Sequence, residues 1–246
     1  MGLKEPGLRG SLRNVSVRIG AIPDSEADQK LAHRWLLGDD DGALDVSDSE
    51  GGADGTNNGV SPVEGDYADG VAGEGDGSSY IETSSLGSFG GDMTNDFAIA
   101  LTIETTDNGC YFLGHENDDR TRLTVGIGEF VSDDRLEFYI QDSDTNSERV
   151  ESDSQFNDGS KHRVVFNKTG NSASDFEIWV DQSEVGVSVD VSQGFNNPSD
   201  FDDAVALFAV NIQGSISNNH NGIQDDICIF GDSLTSTEIQ SYDNPW

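Results

Sequence analysis

Two adjacent aspartates, Asp225 and Asp226, precede an apolar strand near the end of the chain, in DDICIF (225–230). Carboxylates at such a position can ligate a metal ion or cap a loop by accepting hydrogen bonds from its N–H groups. Because adjacent residues of a strand point to opposite faces, we expect only one of the two side chains to contribute to any one site. The other is expected to face solvent.

Catalytic carboxylates are the next candidates. A sandwich glycoside hydrolase needs two carboxyl groups across the sugar, commonly presented on one strand as E-x-D-x-x-E. The nearest match is EGDYAD, with Glu64, Asp66 and Asp69 at that spacing, but it lies in glycine-rich loop sequence and ends in Asp. A rigid strand is needed to hold two carboxyl groups at a fixed separation. We therefore predict that the protein is not an enzyme.

Saccharide recognition would need an exposed aromatic plane beside amides and carboxylates that bond hydroxyl groups. Strand alternation places Trp179 on the face opposite Ile178, and the loop 211–222 (NIQGSISNNHNG) is rich in amides. Packing in a core is the alternative for Trp179, and most loop histidines have no specific role. The candidate ligand-binding residues are Trp179, Tyr139, Asn218, Asn219 and His220.

The charge of the chain is extreme, with 47 acidic against 13 basic residues and a formal net charge of −34. Disorder and a calcium-rich extracellular protein are two interpretations of this charge. Disorder is disfavoured, because long stretches alternate apolar and polar residues as strands do. Charge of this size destabilises a compact state unless counter-ions screen it, and at about 1 M salt the Debye length falls to about 3 Å. We therefore predict a protein adapted to molar salt, repelled by nucleic acid and by anionic membranes.

The sequence pattern predicts many short strands as the elements that position these residues. DFAIALTIE (96–104) places Ile99, Leu101 and Ile103 on one face with period two, and several similar runs follow at spacings of roughly 8–12 residues. In LTSTEIQSY (234–242), Thr235 or Ser236 followed by Glu238 predicts a capped helix. The fold predicted is all-β, a two-sheet antiparallel jelly-roll sandwich with a short C-terminal helix. Its two cysteines, Cys110 and Cys228, are expected to be buried free thiols rather than a disulfide.

Six segments resemble, in the same order, landmarks of laminin G-like, concanavalin A-like jelly-roll domains. The resemblance covers residues 31–242, and the predicted domain is 31–246. It departs from the family at Gln182, where a turn glycine is usual, and at Lys161, where tryptophan is common. The matching segments are HRWLLGDD, DVSDSEGGADGTNNG, DFAIALTIET, DGSKHRVVFNK with FEIWVDQSEVG, and the closing IQDDICIFGDSLTSTEIQSY.

The resemblance implies that the first and last strands pair, so HRW and DDICIF should be neighbours. It also implies a structural calcium ion near the last strand, since family members often hold one there with help from the early Asp-rich loop. Calcium takes six to eight oxygen ligands, which carboxylates and loop carbonyls supply. The ligands predicted are Asp226 and Asp48, with Asp39 or Asp54 as further candidates; a solvated acidic surface is the alternative.

Residues 1–30 differ from the rest and are predicted to form an extended basic arm. Six of the 13 basic residues but only four of the 47 acidic ones lie in residues 1–34. We expect the arm to anchor on an acidic partner. The anchoring residues predicted are Lys4, Arg9, Arg13 and Arg18.

An adhesion-type sandwich, a basic arm and the lack of a secretory signal or membrane-spanning run predict a virion surface protein of a haloarchaeal virus: a capsid turret, spike or fibre subunit. The arm would hold it to a capsid or tail protein, in five copies for a vertex structure or three for a fibre. The sandwich would bind host surface glycans or glycoproteins weakly and multivalently. The alternatives are a haloarchaeal carbohydrate-binding or adhesion module at the cell surface or outside the cell, and a jelly-roll glycanase.

Overall fold

The computed structural model describes residues 26–38, 42–65, 70–86, 95–117, 120–128, 134–142, 146–194 and 204–242. Within these ranges the chain is nearly all strand, with short 3-10 helices at Asp28–Lys30 and Ala173–Asp175 and one α-helix, α1 (Ser236–Ser241). The strands are β1 (Leu31–Trp35), β2 (Gly55–Asn58), β3 (Ser61–Glu64), β4 (Val71–Asp76), β5 (Tyr80–Ser85), β6 (Phe97–Thr105), β7 (Cys110–Glu116), β8 (Arg122–Ile127), β9 (Arg135–Gln141), β10 (Ser147–Gln155), β11 (Lys161–Lys168), β12 (Phe176–Val180), β13 (Ser183–Val185), β14 (Val187–Ser192), β15 (Ala204–Leu207), β16 (Val210–Ile212), β17 (Ser215–Ser217) and β18 (Asn221–Phe230).

Two antiparallel sheets stack as the sandwich that the sequence predicts. The eight-stranded sheet has the order β13-β12-β11-β6-β18-β4-β3, with β1 added beside the second half of β18. The ten-stranded sheet has the order β14-β10-β9-β8-β7-β15-β5-β2, and β16 joins β7 in parallel while pairing with β17. The fold prediction is therefore confirmed.

The main core lies between the two sheets, where period-two alternation directs the apolar side chains. On β6, for example, Ile99, Leu101 and Ile103 are fully buried in this core, facing Phe138 and Val125 of the ten-stranded sheet. Burying such a side chain stabilises a fold by about 1.5–3 kcal/mol. The free thiol of Cys110 also lies in this core.

A second, smaller core lies on the outer face of the eight-stranded sheet, beneath α1. Ile239 and Tyr242 pack there against Ala98 and Ala100, whose small side chains leave room for the helix. Thr235 caps α1 by accepting from the N–H of Glu238, whose carboxylate in turn accepts from the Thr235 N–H. The capped C-terminal helix is thus confirmed, and it serves to cover this face of the sheet.

The first and last strands pair as the resemblance implies. His33 is opposite Ile229, Arg34 is opposite Cys228 and Trp35 is opposite Ile227. The last five residues of the predicted arm, 26–30, also pack against the domain, because Ala27 is buried in the smaller core. Lys4, Arg9, Arg13 and Arg18 lie outside the described residues.

Candidate functional site

The Asp-rich loop after β1 is organised around the carboxylate of Asp48. Its Oδ1 accepts hydrogen bonds from the N–H groups of Arg34, Glu50 and Gly51, and its Oδ2 from the N–H of Ala53. Nδ1 of His33 lies 2.6 Å from Oδ2. Burial acts to raise the pKa of Asp48, but these hydrogen bonds outweigh it and lower the pKa to about 2. The carboxylate therefore stays ionised and ties the loop together.

The terminal aspartate pair departs from simple strand alternation. The register of β18 against β6 shifts between Asp225 and Cys228, and Asp226 has a positive φ of 43°. Asp225 is opposite Thr102 and Cys228 is opposite Ala100, so one extra residue is inserted. Both aspartates consequently lie on the outer face of the sheet, and the expectation that they point to opposite faces is wrong.

Asp226 is buried between two arginines. Its Oδ1 accepts from Nε of Arg34 at 2.7 Å, and its Oδ2 accepts from Nη2 of Arg163 at 3.0 Å. Nη1 of Arg163 also donates to the carbonyl oxygen of Asp226 at 2.8 Å. Burial raises the pKa of the neighbouring Cys228 thiol to about 12, as does the charge of Asp226. This thiol is free, protonated and therefore unreactive at neutral pH.

These contacts allow the fit of a calcium ion to be tested. Both carboxylate oxygens of Asp226 accept from guanidinium groups, and those of Asp48 accept from N–H donors and His33, so an ion would have to displace the donors. Asp54 accepts from the N–H of Asp48. The described residues contain no group of three His, Cys, Asp or Glu side chains that could hold a metal. As arranged, Asp48 and Asp226 do not fit calcium; Asp39 lies outside the described ranges.

Trp179 and His220 do not present their rings to a ligand. Trp179 is only 6% exposed, packs in the smaller core and donates its indole N–H to Glu177. His220 is 0% exposed, because its ring lies between Phe112 and Phe208 inside the sandwich. The assignment of His220 to a ligand-binding loop is therefore wrong, since long-range packing has drawn the end of that loop into the core.

The two asparagines of the same loop fasten it to neighbouring elements. The carbonyl oxygen of Asn218 accepts from the N–H of Tyr111 at 3.0 Å. The side-chain amide of Asn219 donates to the carbonyl oxygen of Ser79 at 3.0 Å. Asn218 remains exposed and Asn219 half-buried, so both lie at the surface between β7 and the β4–β5 turn.

Tyr139 belongs to a cluster on the outer face of the ten-stranded sheet. The guanidinium carbon of Arg122 lies 5.4 Å from the centroid of the Tyr111 ring and 5.5 Å from that of the Tyr139 ring. Arg122 also donates to the Tyr111 hydroxyl group and pairs with Glu116 at 3.4 Å. The Tyr139 hydroxyl donates to Gln141. Tyr139 is 8% exposed, so the cluster presents its polar edges rather than an open aromatic plane.

Carboxylates and a second arginine extend this cluster across β9, β10 and β14. Arg149 is opposite Tyr139 in the sheet and pairs with Asp190, with its Nε 3.9 Å from Oε1 of Glu151. Glu151 is in turn opposite Glu137, and both are buried. We call the residues Tyr111, Glu116, Arg122, Glu137, Tyr139, Gln141, Arg149, Glu151 and Asp190 the polar strip. Its hydrogen-bonded arginine–carboxylate pairs offer donors and acceptors in fixed orientations, which suits hydroxyl-rich ligands.

Sequence reasoning found only Tyr139 in the polar strip. The signal for Arg122, Glu137 and Gln141 was present, since RLTVGI and RLEFYIQ alternate polar and apolar residues, and the polar ones lie on the face away from the core. Which polar residues become neighbours depends on the order and register of β7 to β10, and those are set by long-range pairing.

The residues with glycanase spacing are only partly described. Glu64 ends β3, and Asp66 and Asp69 lie outside the described residues. Among the described residues, no helix has the length and apolar character needed to cross a membrane.

Comparison with known proteins identifies the fold. No family model matches the chain, and no curated protein matches it. Domain 4 of AbnA, a GH43 extracellular arabinanase of Geobacillus stearothermophilus solved with arabinotriose, matches with a TM-score of 0.59 and 17% identity over 86% of this chain and 97% of that one. The botulinum neurotoxin serotype D ligand-binding domain, solved with N-acetylneuraminic acid, matches with a TM-score of 0.57 and 11% identity over 86% of this chain and 50% of that one.

The binding domain of Paraclostridial mosquitocidal protein 1 matches with a TM-score of 0.60 and 11% identity, over 86% of this chain and 51% of that one. This chain therefore spans about half the length of the two toxin chains. At these identities the likenesses show a shared sandwich fold.

Proposed function

We propose that this protein is a saccharide-binding sandwich whose ligand contacts the polar strip. The observation that carries the proposal is the placement of Arg122 against the rings of Tyr111 and Tyr139, bordered by Glu116 and Gln141. Sugars are bound through planar polar groups that are themselves held in place by neighbouring residues. Two of the structural relatives were solved with a saccharide bound, which supports the same ligand class.

The polar strip would act by short-range contacts. In molar salt, attraction between separated charges is screened beyond about 3 Å, so affinity must come from direct hydrogen bonds to the polar strip. A single site of this kind is weak, and several copies displayed together gain affinity through raised effective concentration.

We further propose that the module is a surface protein of a haloarchaeal virus, a turret, spike or fibre subunit with a laminin G-like sandwich that attaches to host glycans. The net charge of −34 supports the proposal that the protein works in molar salt. The excess of basic residues in residues 1–34 supports the proposal that this segment anchors to an acidic capsid or tail protein. A haloarchaeal carbohydrate-binding module is the second candidate, favoured by the likeness to the arabinanase domain.

The positions of the two faces support display on a larger particle. Lys30 pairs with Glu238 of α1 at 2.9 Å and donates to the Ser233 carbonyl oxygen at 2.7 Å, on the outer face of the eight-stranded sheet. The polar strip lies on the outer face of the other sheet. A partner held at residues 26–30 would therefore leave the polar strip pointing away from it.

Saccharide binding is tested by a glycan array in 2–4 M KCl, roughly the range in which exposed charges are fully screened, with the chain displayed as a multimer. We expect binding to one glycan class, reduced at least tenfold by Arg122→Ala and by Arg149→Ala. Lys161→Ala, at the start of β11 in the other sheet, is the matched control and should bind as the wild type does. Circular dichroism verifies that each variant is folded. An array without any bound glycan, or equal loss in the control, would contradict the proposal.

The virion proposal is tested separately by a cryo-electron microscopy map of the native assembly. We expect residues 1–30 to contact a capsid or tail protein, with three or five copies around one axis. A map or a genomic neighbourhood without capsid and tail proteins would contradict the virion proposal. The haloarchaeal carbohydrate-binding module would then be the remaining candidate. Hydrolysis of any polysaccharide in the same salt would instead identify a glycanase.

A further inference from the structure

The outer edge of β14 is an unprotected edge of the ten-stranded sheet. β14 pairs with β10 on one side, and no strand within the described ranges pairs with its other side. The backbone N–H and C=O groups along such an edge can pair with another chain, and natural proteins block them with proline, lysine or unpaired charges. The sequence of β14, VSVDVS, contains one charged residue, Asp190, and that residue is paired with Arg149. β14 has six residues and is longer than β13, β3 and β2, the other end strands of the two sheets.

The flank of the sandwich beside β14 exposes apolar surface. Val189 is opposite Val150, which is fully buried between the sheets, so both side chains lie on the core-facing side. Val189 is nevertheless 53% exposed, and it is the one exposed large hydrophobic residue of the described ranges. Val187, on the same side, is only half-buried and packs against the main core. A strand added beside β14 would therefore extend the sheet and cover the end of its core.

The outer face of the same edge is acidic. Asp190 is the extra residue of a bulge in β14, and its exposed carboxylate pairs with Arg149. The next residue on this face, Ser188, is opposite Glu151. The two carboxylates outnumber the one arginine. A strand that fits this edge therefore needs apolar side chains on one face and a basic side chain on the other.

One segment outside the described ranges has this pattern. Residues 14–19 have the sequence NVSVRI, so in a strand the two valines and the isoleucine share one face, and the serine and Arg18 share the other. The surrounding residues 1–22 contain four basic residues and one acidic residue. The segment 195–203, which follows β14, is FNNPSDFDD, and its carboxylates and proline suit this edge poorly. Residues 14–19 complement the edge in both apolar pattern and charge.

The length of the chain assigns this segment to a neighbouring copy. Residues 26–30 lie beside the end of β18, where the carbonyl oxygen of Lys30 accepts from the N–H of Gly231. Four strand spacings of about 4.8 Å separate β18 from β13, and β14 lies in the other sheet about 10 Å away, so the path around the flank is roughly 29 Å. The chain from Ile19 to Glu26 spans at most about 25 Å. The segment therefore falls short of β14 in its own chain.

We propose that residues 14–19 of one copy add as an edge strand to β14 of a neighbouring copy. Backbone hydrogen bonds continue the ten-stranded sheet, the apolar face of the segment covers Val189, and Arg18 lies on the outer face beside Asp190. Because the donor segment and the acceptor edge are different surfaces, the contact repeats from copy to copy until a ring closes. The inference depends on neither the saccharide proposal nor the virion proposal.

Disulfide cross-linking tests the contact directly. Full-length chains carry Val189→Cys together with a cysteine at position 15, 17 or 19, and one of these three positions should be opposite residue 189. Under mild oxidation in molar KCl, that chain should form covalent dimers and longer oligomers. Val17→Cys with Glu82→Cys, exposed on β5, is the matched control and should stay monomeric on a denaturing gel. A disulfide closed within one chain, or no cross-link from any of the three positions, would overturn the proposal.

Proline substitution tests whether the contact is a strand ladder. Successive N–H groups of a strand point to opposite edges, so either Ser16→Pro or Val17→Pro removes a hydrogen bond to β14 while the other does not. In analytical ultracentrifugation, we expect one of the two to raise the dissociation constant of the oligomer roughly tenfold and the other to raise it much less. Leu8→Pro, outside the segment, is the control and should assemble as the wild type does. A wild type that is monomeric at every concentration, or unchanged assembly in both variants, would refute the strand addition.

Discussion

Arg163 and Asp226 form a buried ion pair that joins β11 to β18 twice, once through the carboxylate at 3.0 Å and once through the carbonyl oxygen at 2.8 Å. Removing one partner of a buried pair leaves the other charge uncompensated. The pair lies under Tyr242, whose ring centroid is 5.8 Å from the Arg163 guanidinium carbon. It therefore fastens the bulged strand and the C-terminal helix to the same sheet.

We expect Asp226→Asn to lower the free energy of unfolding by about 3–5 kcal/mol, because Arg34 and Arg163 would lose their shared counter-charge. Asparagine tolerates a positive φ, so the change isolates the charge from the backbone conformation. Urea unfolding in molar KCl measures the loss. Glu82→Gln, exposed on β5, is the control and should stay within about 0.5 kcal/mol. A loss no larger than in the control would show that the pair contributes little.

Asp48→Asn should destabilise the domain by about 2 kcal/mol, because an amide has one oxygen and cannot accept hydrogen bonds from all the N–H groups that donate to both oxygens of Asp48. The pKa of Asp48 is lowered from 3.8 to about 2, so its contribution is present above pH 4 and is lost as the pH falls to 2. Unfolding measured from pH 7 to pH 2 checks both points. Asp45, in the same loop, accepts from the N–H of the exposed Ser47. Asp45→Asn is therefore the control and should have little effect. Equal effects of both substitutions would refute the role of Asp48.

His220 should make the fold sensitive to acid. Burial lowers its pKa from 6.5 to about 3, so between these values the unfolded chain binds a proton that the folded chain does not. Stability therefore falls as the pH falls from 6.5, by up to about 5 kcal/mol at pH 3. The difference in unfolding free energy between the wild type and His220→Phe, measured against pH, should have a slope of one proton in this range. A difference that does not change with pH would contradict it.

A glycine in the turn between β12 and β13 should stabilise the domain. Asp181 and Gln182 have φ values of 50° and 66°, the left-handed region that glycine adopts at little cost. We expect Gln182→Gly to raise the free energy of unfolding by about 0.5–1 kcal/mol. Glu184→Gly, in the following strand, has no positive φ to relieve and should be destabilising. Thermal unfolding of both variants distinguishes the two, and a loss of stability in Gln182→Gly would contradict the explanation.

The closing segment shows why part of the fold was predictable. Thr235 and Glu238 are three residues apart, and their capping box needs only local geometry. The inward face of β6 likewise follows from alternation alone. The insertion at Asp226 was not predictable, since a bulge is defined by the partner strand, and neither was the burial of His220 between Phe112 and Phe208. Packing of Trp179 in a core was one of the two interpretations of the sequence, and the structure selects it.

By itself, the sequence determined the class of fold, its capped last helix and its acidic character, because these depend on side-chain period, short-range hydrogen bonds and composition. Only the tertiary structure decided what the polar residues do. Strand order and register brought Arg122 against Tyr139, enclosed Asp226 between Arg34 and Arg163, and left His220 and Gln224 together in the core. Those neighbours are far apart along the chain, and their contacts form only when both sheets have folded and stacked.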